Sequence, residues 1–233
     1  MTPPRVSDRF VPVTDEPSAR RSSTAYVVAP DAGSGPGVLV LHGWWGMTPF
    51  VRRTCDRLAD AGFSVLAPDL FGGRTADSPD EAEALLADMD VDRAIELVMS
   101  TSATLRDLPI TTDRPIGVVG LSMGGSLALW LAARAPEQVA AAVVFYGTQD
   151  VDFEPARAAF LGHFAEHDEL VSDDAVVEME AHLRLLGKEV EFHRYADTGH
   201  WFIEDDRPAA YDAAAAQIAW QRTIDFLRRH LAA

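Results

Sequence analysis

The stretch Ile116-Gly117-Val118-Val119-Gly120-Leu121-Ser122-Met123-Gly124-Gly125 constrains the fold of this chain more than any other. Its apolar start reads as a strand covered on both faces. It runs into Gly-x-Ser-x-Gly and then into a helical run over residues 127–135. Strand, sharp turn and helix, in that order, are the setting of a nucleophile elbow. Gly120 and Gly124 carry no Cβ, so a strand and a helix can close around a strained turn. Such a turn would lift Ser122 above the C-terminal end of the strand. It would also place the Met123 N–H at a helix N-terminus, where an oxyanion can be held.

The rest of the chain repeats the alternation. Short β-branched or apolar runs lie at 25–29, 38–41, 63–67, 116–119 and 141–145, with weaker ones at 160–164 and 190–195. Helical patterns separate them. Thr48 can cap a helix that has Pro49 at its first position, Val51, Cys55 and Leu58 on one face, and Gly62 at its end. Ser172 caps another, with Val176, Met179, Leu183 and Leu186 inward and Gly187 closing it. Residues 80–108 read as one long or two short helices with an acidic outer face, which includes Asp88, Asp90 and Asp92. Trp220, Ile224, Leu227 and Leu231 mark the inner face of a C-terminal helix. Strand alternating with helix predicts an α/β fold: a mostly parallel twisted sheet with helices on both faces and no large lid domain. Residues 1–22 read as a tail or a loose edge strand around 10–13, and 23–233 as a single domain.

With 233 residues, 48% of them hydrophobic and 24% charged, the composition is that of a globular chain able to bury a substantial core. Twenty Lys and Arg against 36 Asp and Glu give a net charge of -16. A field of that sign repels nucleic acid and anionic membranes. The single cysteine, Cys55, makes neither an intrachain disulfide nor a Cys-rich zinc site. Residues 1–13 lack the apolar run of a signal peptide, and no stretch approaches a membrane span. The expectation is a cytoplasmic protein with no metal and no cofactor. Neither H-E-x-x-H, nor a P-loop, nor a dinucleotide fingerprint occurs.

A serine hydroxyl needs a base to act as a nucleophile at neutral pH. The elbow predicts the chain order serine, acid, histidine. His200, in Asp197-Thr198-Gly199-His200-Trp201-Phe202, falls after the last strand run and before the final helix, where the base belongs. Asp168, in Glu166-His167-Asp168-Glu169, follows a strand run and precedes the Ser172 helix, and is the chosen acid. Asp150, Glu166 and Asp197 are its rivals. A second oxyanion donor should come from His42-Gly43-Trp44-Trp45-Gly46, with the Trp44 N–H the candidate. His42 reads as a brace for that loop.

Residues 25–231 resemble the dienelactone hydrolase family of α/β-hydrolases. The resemblance is carried by Ala67-Pro68-Asp69-Leu70-Phe71, the elbow, Phe145-Tyr146-Gly147, His167-Asp168 and Gly199-His200. It implies that Ser122, Asp168 and His200 are nucleophile, acid and base. Three departures stand out. The dienelactone enzymes use cysteine at the elbow, where this chain has Ser122. They carry a glutamate near the position of Gly43, which this chain lacks. They place a carboxylate-binding arginine shortly after the base, where this chain has Glu204, with Arg207 close by. Arg74 matches a second carboxylate-binding arginine.

Trp45, Phe71, Arg74, Tyr146, Trp201 and Phe202 flank these loops and are expected to line the substrate pocket. The reading is a serine hydrolase of small carboxylic esters or lactones, working through an acyl-enzyme. Thioester, amide or peptide hydrolysis on the same residues stays open, as does a non-catalytic binding protein on a hydrolase scaffold.

Overall fold

A computed structural model of the protein describes residues 10–13, 23–112 and 115–231. Apart from 10–13, the expected N-terminal tail lies outside the described residues. Strands β1 (Phe10–Val13), β2 (Ser23–Val28), β3 (Gly37–Leu41), β4 (Ser64–Pro68), β5 (Ile116–Leu121), β6 (Val139–Phe145), β7 (Ala159–His167) and β8 (Val190–Gly199) form one sheet. Their order is β1-β2-β4-β3-β5-β6-β7-β8. β1 and β2 are antiparallel to each other, β2 is antiparallel to β4, and from β4 to β8 every pairing is parallel. This is the α/β architecture that the alternation predicts.

Parallel strands need crossovers; helices α1 (Pro49–Asp60), α2 (Pro79–Ala87), α3 (Val91–Asp107), α4 (Met123–Arg134) and α5 (Asp173–Leu185) supply them except between β6 and β7, where a loop does, and α6 (Ala213–Leu231) follows the last strand. Successive strand residues face opposite sides. Val38, Val40, Val119, Leu121, Val143 and Phe145 therefore pack on one side, with Val51, Cys55 and Leu58 of α1 and Ile224, Leu227 and Leu231 of α6. Leu39, Leu41, Val118, Ala142 and Val144 pack on the other side, with Val98 of α3, Leu129 of α4 and Val176, Met179 and Leu183 of α5. Two apolar layers thus cover β3 and β5 completely and β6 at all but Ala140, which explains their near-continuous hydrophobic runs.

One local expectation needs correction. Thr48 occupies the N-cap of α1, yet its hydroxyl caps nothing and is buried without a partner. Pro49 removes one of the N–H groups that a cap would satisfy. Of the one long or two short helices expected over 80–108 the structure has two, α2 and α3, with Asp88, Asp90 and Asp92 exposed as a solvated acidic face. Asp88 ends α2, and the Asp90 carboxylate caps α3 by accepting the Arg93 N–H at 3.0 Å. The α5 expectation is met at Ser172, whose hydroxyl accepts the Ala175 N–H, and at Gly187, whose φ of +70° lets the chain turn out of the helix. The C-terminal ends of β3, β5, β6, β7 and β8 all open toward one rim of the sheet. In open parallel sheets that rim is where ligands bind.

Candidate active site

Ser122 joins β5 to α4 at φ +51°, ψ −115°, a conformation costly for any residue with a Cβ. The surrounding glycines make this turn possible. A Cβ on Gly120 would overlap the backbone of Gly124 and Gly125, and one on Gly124 would overlap the Leu41 and His42 carbonyls. Neither collision can be relieved by a rotamer change. Gly120→Ala is therefore expected to destabilise the fold by at least about 3 kcal/mol, measured as a fall in the chemical unfolding midpoint of the soluble protein. The turn is also tied to the sheet, since the Ser122 N–H donates to the Phe145 carbonyl at 2.9 Å. Met123 opens α4, so its N–H belongs to the first turn, which has no intrahelical acceptor.

Ser122, His200 and Asp168 meet above this rim. His200 Nε2 lies 2.9 Å from Ser122 Oγ. His200 Nδ1 lies 2.9 Å from Asp168 Oδ1 and 2.8 Å from Oδ2. The His200 and Asp168 side chains are only 4% and 5% exposed, so solvent does little to screen their contact. Asp168 Oδ1 also accepts the Leu170 and Val171 N–H groups, each at 2.9 Å. Burial by itself would raise the Asp168 carboxyl. The hydrogen bond and charge of His200, together with the two backbone donors, outweigh it and hold the carboxyl below its ordinary range. The rivals stand elsewhere. Asp150 is exposed, and Glu166 and Asp197 are linked to each other at the surface through the Asp197 N–H. With His167 they form an exposed group whose ligand atoms lie within 4.8 Å of one another, and no role is assigned to it.

The loop after β3 closes the opposite side. A Cβ on Gly43 would stand 3.2 Å from the Leu121 carbonyl oxygen and 3.5 Å from Ser122 Cβ, so the backbone leading into Trp44 passes directly beside the serine. His42 braces it. Its Nε2 accepts the Leu70 N–H at 3.0 Å, which leaves Nδ1 to donate to the Gly43 carbonyl at 2.7 Å. Burial lowers the His42 pKa, which keeps this neutral tautomer. Trp44 stacks on Trp201, with centroids 5.8 Å apart and an interplanar angle of 13°, and Trp45 packs against both. Met123 lies against the same cluster.

The expected substrate pocket is only partly of this kind. Tyr146 and Phe202 are 0% exposed. They stand behind His200 as packing, with the Tyr146 ring against the imidazole and against Phe202, and do not line an open wall. Trp45 and Phe71 are also buried, while Trp44, Trp201 and Met123 retain partial exposure. Arg74 lies at the surface, tied to Asp88 at 2.7 Å and to the Phe71 carbonyl. Arg207 lies over the Trp45 ring at 3.6 Å and donates to the Ala76 and Asp77 carbonyls. Both guanidinium groups are already engaged in holding loops. Cys55 is buried, and burial pushes its thiol pKa up, so it is core.

Sequence reasoning missed a buried polar chain behind the site. His163 Nδ1 lies 2.8 Å from the Tyr195 hydroxyl and Nε2 3.1 Å from Thr223 Oγ1, which joins β7, β8 and α6. A histidine inside the apolar run of β7 was the available signal.

Comparison with known proteins gives the family and the fold. A family model described as the dienelactone hydrolase family matches residues 23–231. Protein usf of Aquifex pyrophilus is 34% identical over 215 residues, covering 88% of this chain and 93% of that protein. The carboxymethylenebutenolidase of Rhodococcus opacus is 32% identical over 216 residues, covering 86% and 84%. A solved structure of a dienelactone hydrolase-like promiscuous phosphotriesterase from metagenomic libraries superposes with a TM-score of 0.83. At 21% identity it covers 95% of this chain and 97% of that one, which speaks to the fold. The chain belongs to the dienelactone hydrolase family, carboxylic ester hydrolases of the α/β-hydrolase fold.

Proposed function

We propose that this protein hydrolyses small, uncharged carboxylic esters or lactones through an acyl-enzyme on Ser122. The hydrogen-bond chain from Ser122 through His200 to Asp168 is the observation that carries the reading. Ser122 Oγ attacks the carbonyl carbon while His200 Nε2 takes its proton. Asp168 holds Nδ1–H, which fixes the tautomer with a free Nε2 lone pair and stabilises the imidazolium. The Met123 and Trp44 N–H groups receive the oxyanion. The tetrahedral intermediate collapses, and the leaving alkoxide takes the proton back from His200. Water, deprotonated by the same imidazole, then adds to the acyl carbonyl and releases the acid and free Ser122. In a lactone the leaving alkoxide remains part of the acyl chain, so the second step releases a single hydroxy acid.

The preference for uncharged substrates follows from the cations. The carboxymethylenebutenolidase relatives carry a lactone hydrolase name, and the family resemblance implies arginines that hold a substrate carboxylate. Here Arg74 is paired with Asp88, Arg207 is stacked on Trp45, and Glu204 stands where an arginine is expected. The net charge of -16 also disfavours anionic substrates and polyanionic partners. Among the described residues, no helix is long and apolar enough to cross a membrane.

The test is a rapid-mixing assay with a short-chain nitrophenyl ester. A stoichiometric burst of nitrophenol is expected, and peptide mass analysis of the quenched enzyme should find the acyl group on the peptide containing Ser122. Turnover with an acyl group on any other residue would refute the proposal.

A further inference from the structure

The loop after β8 carries a glutamate that the hydrolysis as described does not use. Glu204 is buried, and its Oε1 accepts the Tyr146 hydroxyl at 2.7 Å. Tyr146 leaves β6 at φ +41°, a strained conformation for a bulky residue. Its N–H donates to the His163 carbonyl at 2.8 Å, which holds the strained backbone against β7. Its ring lies against the His200 imidazole, with centroids 4.5 Å apart, and meets Phe202 edge-on at 5.8 Å. The imidazole is thus fixed at its nitrogens by Ser122 and Asp168, and on its flank by a tyrosine that one buried carboxyl anchors.

We propose that Glu204 and Tyr146 are a positioning pair for His200: the carboxyl fixes the phenol, and the phenol ring keeps the imidazole in line between Ser122 and Asp168. A side chain that only filled space would not need a buried carboxyl, which is costly to desolvate. The groups facing the pair are known. Asp206 and Arg207 lie beside Glu204 on its own loop, and Asp168 faces Tyr146 from the loop after β7. Burial chiefly, with Asp206 adding to it, pushes the Glu204 carboxyl up to about 8 against the opposing pull of Tyr146 and Arg207. At neutral pH the carboxyl is therefore protonated. Above pH 8 it ionises and places a negative charge behind the imidazole, where it favours the imidazolium formed during the reaction.

The pair rests on the Ser122–His200–Asp168 reading and is tested beside it. In steady-state ester hydrolysis, Glu204→Leu leaves the phenol unanchored and is expected to lose about 10- to 100-fold in kcat with KM nearly unchanged, the scale of a misplaced catalytic group. Tyr146→Phe should show the same kcat-selective loss, and the double variant should be no worse than the more impaired single one. Glu204→Gln keeps an acceptor for the hydroxyl and should restore kcat at pH 7. Its kcat should stay flat between pH 7 and 9, where that of the wild type climbs. Thermal unfolding of each variant separates positioning from loss of fold, and Tyr146→Phe and Glu204→Gln change little volume should Glu204→Leu fail to fold. Wild-type kcat in a folded Glu204→Leu or Tyr146→Phe variant, or identical pH profiles for the wild type and Glu204→Gln, would overturn the pair. An unchanged rate in Ser122→Ala would instead overturn the underlying hydrolytic reading.

Discussion

Ser122→Ala is expected to lower kcat for a short-chain chromogenic ester by about 10⁶, the scale seen when a serine protease loses its nucleophile. KM should change little, because the Trp44–Trp201 surface and the backbone donors remain. Two features make the effect large. Ser122 Oγ lies within hydrogen-bond reach of His200 Nε2, and the one thiol of the chain, Cys55, is buried in the α1 core with its pKa raised. Alanine keeps the Cβ and hence the same backbone strain, so thermal unfolding should be nearly unchanged and the loss reads as chemistry. Residual hydrolysis above the uncatalysed rate would report what the oxyanion donors contribute alone. An unchanged kcat would exclude Ser122 as the nucleophile.

Much of this architecture was legible because it depends on local pattern. The apolar runs from β3 to β7 announce buried strands, and Gly120 and Gly124 announce a turn with no room for side chains. The positions of Asp168 and His200 follow from the strands that precede them. The flank of the imidazole was not legible. Tyr146 and Phe202 have the composition of pocket residues, and only the packing behind His200 shows that they are covered. Glu204 read as an absent arginine, because its partner, Tyr146, is far away along the chain and neither residue's pattern names the other. The Thr48 hydroxyl was misjudged for a related reason. Capping depends on where a few atoms point, whereas periodicity reports only which face is buried.

Asp168→Asn should be the second most damaging conservative change, with kcat falling about 10⁴ and KM little affected, as when a triad aspartate elsewhere becomes an amide. The structure supplies the reason. Asp168 Oδ1 is pinned by the Leu170 and Val171 N–H groups, so an asparagine must put its carbonyl oxygen there to keep both bonds. Its NH₂ then occupies the place of Oδ2, which lies 2.8 Å from His200 Nδ1. An Nδ1–H would meet that donor even while the carbonyl oxygen at 2.9 Å accepts it, whereas a bare Nδ1 accepts the N–H without conflict, so the imidazole shifts toward the tautomer with its proton on Nε2. That nitrogen can no longer accept the proton of Ser122. Stability carries a second signature of the same contact. The Asp168 carboxyl titrates lower in the folded chain than the ordinary value of about 3.9 for an unfolded one. Its contribution is therefore fully present above that ordinary value and is lost as pH falls through the lower folded one. Urea unfolding should find Asp168→Asn less stable than the wild type at pH 7, and the gap should narrow as the pH drops below about 4. A gap that stays constant or widens in acid would mean that Asp168 is not held as a carboxylate by His200 and the two backbone donors, and the tautomer argument would fall with it.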